Sequence, residues 1–404
     1  MNFNFVHGFF HEDFRSVAEF LEKQIRQDGR GGAAVCIYHK GEKVVDIWAG
    51  ERSANHLPWE ADTLSISFST TKGVISTALH VLADRGMCQY DEPVAKYWPE
   101  FGCNGKSAIT IRDLLCHKTG LYPIRSLVTN IEQILDWDFM VSQLEKSTPK
   151  IRPGGRPGYQ AITYGWLVGE LIQRISGQSL TDFVHGAIVS PLDLDGLYLL
   201  TPSDQRGRIA QLLPPERHKD RPRTRTSTRK VRSWLPSTMM DALVPRGIRR
   251  MLYSDHLLDA PIPSFNGVFT ARSLAKMYGA LANKGEVDGH QLLSPETIRQ
   301  ATRIQSQKLD RVLLLPMGWS LGYHRVVTTK GILKNGFGHF GYGGSGAWAD
   351  PKRNLAVAMT LNRIAGSPVG DRRMVQLGGA AIRGLNRFNQ QQIRLPEYPE
   401  VPTS

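Results

Sequence analysis

Strand-like sequence lies at both ends of this chain and helix-like sequence lies between them, and this distribution limits the fold more than any other feature. Near the start, Ala33 to His39 and Lys43 to Trp48 are β-rich runs around Lys40-Gly41-Glu42, which reads as a hairpin. From Met317 onward, Trp319 to His324, Phe337 to Ala349 and Leu355 to Asn362 are Gly-rich or β-branched runs joined by turns such as Asp350-Pro351-Lys352-Arg353-Asn354, and they read as strands. In between, helical spacing runs through Ile131 to Leu144, Gly165 to Ile175, Leu180 to Ile188 and Ala271 to Ala282, and Ser294-Pro295-Glu296 opens another helix. Glu12 to Gln27 and Met374 to Leu385 add one helix near each end. The pattern predicts an α+β fold: one antiparallel sheet built from both chain ends, flanked by N- and C-terminal helices, with a mostly helical lobe inserted. We expect the sheet lobe over about 1–68 and 312–395 and the helical lobe over about 69–311, with a site in the cleft between them.

The stretch Ser67-Phe68-Ser69-Thr70-Thr71-Lys72-Gly73-Val74 joins a strand-like run to a helical one. On a helix, residues three apart share a face, so the Lys72 amine can reach the Ser69 hydroxyl. A serine hydroxyl needs an adjacent base to become a nucleophile, and a backbone N–H at a helix start can hold the resulting oxyanion. A capping serine and a solvated lysine would give the same spelling. Val74, Ala78, Val81 and Leu82 give the helix a buried face before Asp84-Arg85-Gly86 stops it, which favours chemistry at its start.

With 41 % hydrophobic and 22 % charged residues among 404, the chain has the composition of a globular protein. No apolar run is long enough for a membrane span. Met1 to His7 lacks the features of a secretion signal, so a cytoplasmic location is expected. Cys36, Cys88, Cys103 and Cys116 form no Cys-x-x-Cys pair and read as buried thiols. The net charge of +13 is partly local, because Arg217, Lys219, Arg221, Arg223, Arg225, Arg229, Lys230 and Arg232 crowd a basic insertion at about 214–234. Only Trp234 is near them, whereas nucleic-acid readers interleave aromatic residues, so we expect a solvated loop and no nucleic-acid partner. No histidine pair has metal-site spacing and no Gly-x-Ser-x-Gly occurs, so we expect neither a metal nor another cofactor, nor an α/β-hydrolase elbow.

Two further stretches carry chemistry. Pro153-Gly154-Gly155-Arg156-Pro157-Gly158-Tyr159-Gln160-Ala161 presents Tyr159 on a rigid loop ahead of a helix. Gly336 to Gly346 packs glycine into a strand-like run that holds His339, Gly341 and Tyr342, as happens where a ligand or another backbone comes close.

These three boxes in this order resemble the serine β-lactamase and penicillin-binding-protein superfamily, and within it the class C-like family VIII carboxylesterases. Ser69-Thr70-Thr71-Lys72 is similar to that group's Ser-x-x-Lys, Tyr159-Gln160-Ala161 to its Tyr box, and His339-Phe340-Gly341 to the His-x-Gly variant of its third box. Lys118-Thr119-Gly120 spells the third motif but falls too early, in the turn after Leu114-Leu115. The resemblance implies a β-lactamase/transpeptidase-like fold and acyl transfer from a small-molecule ester through a covalent intermediate on Ser69. Lys72 and Tyr159 would act as general base and acid, with a Tyr159 phenolate favoured by the Lys72 charge. The N–H groups of Ser69 and Tyr342 would form the oxyanion hole, and His339 would line the cleft and bond to substrate or to Tyr159. Ala161, where class C β-lactamases have asparagine, and His339, where they have lysine, point away from penicillin chemistry. A β-lactamase, a D-amino-acid peptide or amide hydrolase and an acyltransferase share the first half-reaction; a silent binding protein using the basic loop is the non-enzymatic rival.

Overall fold

The structure, a computed structural model, describes residues 5–27, 29, 31–215, 236–364 and 371–394. Residues 216–234 of the basic insertion lie outside the described residues. Among the described residues, seven strands form one antiparallel sheet: β1 (Val6–Phe10), β2 (Gly32–His39), β3 (Glu42–Gly50), β4 (His324–Thr328), β5 (Gly331–Phe340), β6 (Gly346–Asp350) and β7 (Leu355–Leu361). Their order is β1-β3-β2-β7-β6-β5-β4, so the two chain ends meet where Val35 pairs with Met359 and Cys36 with Ala358. Lys40 and Gly41 both have positive φ in the two-residue turn of the β2–β3 hairpin, the backbone twist that suits such a turn.

Five helices matter for the site: α1 (Arg15–Gln27), α2 (Thr70–Asp84), α3 (Tyr164–Ser176), α4 (Ala271–Ala282) and α5 (Arg373–Arg394). Alternate residues of the sheet serve its two faces. Val35, Ile37, Val357 and Met359 pack against α1 and α5 through Val17, Leu21, Leu377 and Ala381. A hydrogen bond from Ser16 Oγ to the Ala380 carbonyl, 2.9 Å, ties those two helices together. Ala34, Cys36, Ala356 and Ala358 face the other way, into the core that includes residues of α4, α2 and α3. Both faces are covered, which explains why β2, β6 and β7 are apolar runs without polar alternation. α2 is buried on every side from Thr70 to Leu82 and packs beside α3 and β5. Among the described residues no helix is long and apolar enough to cross a membrane.

The structure departs from the sequence reading in several places. Only His324 of the stretch Trp319 to His324 belongs to a strand; Trp319–Tyr323 is a turn whose Leu321 and Gly322 N–H groups bond to the Ala301 and Leu115 carbonyls. β1 was not anticipated because its residues do not alternate between buried and exposed. The helical run from Ile131 breaks at Asp136, whose carboxylate caps a new helix by accepting from Phe139 N–H, 2.9 Å. In Leu180 to Ile188, the α-helix ends at Val184 and a π-helical turn follows. All four cysteines are free, but Cys103 is exposed, against the expectation of four buried thiols.

Candidate active site

A short strand, Ser65–Ile66, paired with Val268–Phe269, delivers the chain to α2. Ser67 N–H donates to the Gly267 carbonyl, 2.9 Å, and the next residue, Phe68, turns into the left-handed region at φ 47°. That conformation costs a leucine- or phenylalanine-like side chain about 1–2 kcal/mol, and burial of the Phe68 ring offsets it. Thr71 fixes the turn, its N–H and Oγ1 both donating to the Phe68 carbonyl at 2.9 and 2.6 Å. Ser69 occupies the N-cap position, yet its hydroxyl caps nothing. It is also the only residue from Thr63 to Leu82 that is not buried. The strained turn therefore leaves one hydroxyl free of capping at the edge of an otherwise buried segment.

Lys72 is not solvated. Its side chain is 0 % exposed, and Nζ lies 3.0 Å from Ser69 Oγ, 2.6 Å from the Ala161 carbonyl and 2.9 Å from the Ser264 carbonyl. Burial holds the amine well below the usual lysine range. Tyr159 comes from the loop ahead of α3, and its hydroxyl donates to Ser69 Oγ at 2.8 Å. Burial, reinforced by Asp310, pushes the Tyr159 phenol up from its ordinary value, against the pull of the Ser69 hydrogen bond. Ser69, Lys72 and Tyr159 thus meet at one oxygen atom, from two segments 87 or more residues apart in sequence.

Behind Tyr159 lies a layer that the boxes did not announce. The Asp310 carboxylate is fully buried: Oδ1 accepts from the N–H groups of Tyr159 (3.2 Å), Val312 (2.8 Å) and Leu313 (2.9 Å), and Oδ2 accepts from Trp319 Nε1 (3.0 Å). Burial raises its pKa, while the four N–H donors favour the ionised form. The Trp319 indole stacks on the Tyr159 ring with centroids 5.5 Å apart and planes within 10°. His117, in the turn that carries Lys118-Thr119-Gly120, meets both rings edge-on at 5.0 and 4.4 Å. The one sequence signal for Asp310 is a lone acidic residue just ahead of the apolar run Val312 to Leu315.

The third box closes the opposite side. A Cβ on Gly341 would stand 2.3 Å from the Ser67 carbonyl oxygen, so only glycine lets the end of β5 come this close to the Ser69 turn. Ser345 Oγ donates to the same carbonyl, 3.0 Å, and Tyr342 packs edge-on against Phe68, 5.4 Å between centroids. Among the described residues, neither the Ser69 nor the Tyr342 backbone N–H has a backbone acceptor. His339 is buried, its ring stacked 6.2 Å from that of Tyr159, and its Nδ1 lies 3.2 Å from the Phe340 carbonyl. It touches Tyr159 by packing and makes no hydrogen bond to it. Burial, the largest cause, holds the His339 imidazole well below its usual range.

The β-lactamase family model matches residues 17–379. The chain is 39 % identical over 337 residues to the esterase/β-lactamase LipL of Mycobacterium tuberculosis (strain ATCC 25618 / H37Rv), covering 83 % of this chain and 77 % of that protein. Among solved structures, a family VIII carboxylesterase superposes with a TM-score of 0.84 at 31 % identity, over 94 % of this chain and 99 % of the other. A penicillin-binding protein homologue from Caulobacter crescentus gives 0.82 at 32 %, with the same coverage. The fold is that of the β-lactamase/transpeptidase group, and the chain belongs to the β-lactamase family, as a serine hydrolase within it.

Proposed function

We propose that this protein hydrolyses small carboxylic esters in the cytoplasm through an acyl-enzyme on Ser69. The observation that carries the reading is the three-way contact at Lys72 Nζ. An unprotonated lysine has two N–H groups and one lone pair. As an ammonium Nζ donates to Ser69 Oγ and to both carbonyls; once it gives up a proton, the Ala161 and Ser264 carbonyls keep the two remaining N–H groups and the lone pair is left facing Ser69 Oγ. The sequence reading had a Tyr159 phenolate held by a charged Lys72. Burial acts against both ions, so we assign the base to the neutral amine and keep Tyr159 protonated.

Ser69 Oγ then bonds to the ester carbonyl carbon as its proton passes to Lys72, and the carbonyl oxygen becomes an oxyanion facing the Ser69 and Tyr342 N–H groups. Collapse of that intermediate breaks the bond to the alkoxide, which takes a proton from the Tyr159 hydroxyl; the Lys72 ammonium replaces it. Water repeats the sequence on the acyl-enzyme and releases the acid. Ala161 contributes only its carbonyl here, to Lys72.

The test is to incubate the protein with a fluorophosphonate probe and map the label, while comparing kcat/KM for p-nitrophenyl butyrate and a chromogenic cephalosporin. Label on Ser69 and a strong preference for the ester are expected. Label on another serine, or cephalosporin turnover exceeding ester turnover, would remove the reading. The pH profile is a second check. Because the active base is the unprotonated amine, kcat/KM should fall as pH is lowered through the depressed Lys72 pKa, and stay level on the alkaline side until the raised Tyr159 pKa is approached. Activity that rises on acidification contradicts it.

A further inference from the structure

The loop that holds Tyr159 from behind has an outer face of unusual chemistry. Asp310 N–H donates to the Leu315 carbonyl (2.9 Å) and Leu314 N–H to the Asp310 carbonyl (3.1 Å), closing Leu309–Leu315 into a tight lobe. Asp310 points inward from it, while Leu309, Leu314 and Leu315 are 44, 44 and 45 % exposed. Leu314 also sits in the left-handed region at φ 57°, where glycine or asparagine would be unstrained. Backbone strain and apolar exposure thus fall on one residue.

The lobe is bordered by cations. Arg311 N–H donates to the Pro157 carbonyl (2.9 Å) and Arg156 bonds to the Leu309 carbonyl, which brings the segment around Lys150, Arg152 and Arg156 against it. From Lys146 to Tyr159 and from Arg303 to Met317 the sequence has seven lysines and arginines and one acidic residue, the buried Asp310. Lys308 and Arg311 are exposed and, among the described residues, in no ion pair with an acidic side chain. Three exposed leucines inside a basic border match the two components of an anionic bilayer surface, with acyl chains below charged headgroups.

We propose that the Leu309–Leu315 lobe docks this protein on an anionic lipid surface. Leu314 and Leu315 enter the headgroup boundary while Lys308, Arg311 and Arg156 lie over the phosphates. The docked face is the outer side of the loop whose Asp310 carboxylate accepts from the Tyr159 N–H.

Flotation with vesicles of phosphatidylcholine alone or mixed with phosphatidylglycerol tests this without substrate, and so independently of the esterase reading. The wild-type chain should float with the anionic vesicles, weakly with the neutral ones, and less at high salt. Leu314→Gly with Leu315→Ser should weaken that binding by about tenfold or more, while p-nitrophenyl butyrate hydrolysis without vesicles and the melting temperature are maintained. Lys308→Gln with Arg311→Gln, which leaves the leucines in place, should lower the salt dependence. Absence of binding to anionic vesicles, or equal binding by the leucine variant, overturns the proposal. So does a wild-type dimer in vesicle-free buffer that the leucine variant abolishes without any vesicle binding, since the lobe would then face a second copy.

Discussion

Replacing Lys72 by methionine is expected to lower kcat/KM for a p-nitrophenyl ester by about a thousandfold or more, the scale set by losing the base that activates the nucleophile. Methionine is unbranched and close in length, so it fills the buried channel that the lysine stem occupies. Two carbonyls, of Ala161 and Ser264, lose a donor. Each such loss costs about 1–3 kcal/mol, offset in part because a buried amine is no longer desolvated. The melting temperature should therefore move far less than the rate. Adding Lys72→Met to Ser69→Ala should reduce activity no further than Ser69→Ala does, because both residues act on one proton transfer. A Lys72→Met enzyme within tenfold of wild type would exclude the lysine as base and return that role to Tyr159.

Asp310→Ala should be the most damaging change outside the three central residues. It leaves four N–H groups facing an empty space, those of Tyr159, Val312, Leu313 and Trp319 Nε1. At about 1–3 kcal/mol for each buried group left unsatisfied, the variant should lose about 4 kcal/mol or more of stability. Asp310→Asn keeps an oxygen for the three backbone donors and turns an amide N–H toward the indole N–H, so it should lose about 1–3 kcal/mol from that single clash. It should also lower kcat with little change in KM, since the clash displaces the ring stacked on Tyr159. Trp319→Phe removes the indole N–H, and combined with Asp310→Asn it should cost less than the sum of the two single changes. Denaturant unfolding and initial rates of the four proteins measure this; strict additivity would mean that the carboxylate and the indole do not act together.

What could be read in advance follows from how local each feature is. Ser69 and Lys72 are three residues apart on one helix, and helical geometry alone brings them to 3.0 Å. The sheet core was legible because β2 and β7 are buried on both faces and so are plainly apolar. Tyr159 was found by resemblance, since its approach to Ser69 depends on a loop path that no periodicity describes. Asp310, His117 and Trp319 escaped for the same reason: each is carried by a turn and meets Tyr159 from more than 40 residues away in sequence. Trp319 to Tyr323 was misread because its aromatic and apolar residues pack around the site and not in a ladder. The edge strand β1 was missed because three of its five residues face solvent in a row.

The pairing of β2 with β7 also governs how the protein can be made. Cys36 waits for Ala358, 322 positions later, before the middle of the sheet can close. At ribosomal speeds this is a delay on the order of half a minute. During that interval the apolar edge of β2 has no partner and is a target for chaperones or for aggregation. The Ser69 turn, emerging early, likewise lacks the wall formed by Gly341 and Ser345 until the end of the chain arrives. On the proposed mechanism, reactivity at Ser69 is therefore a late event in synthesis, and a nascent chain carries the nucleophile long before it can use it.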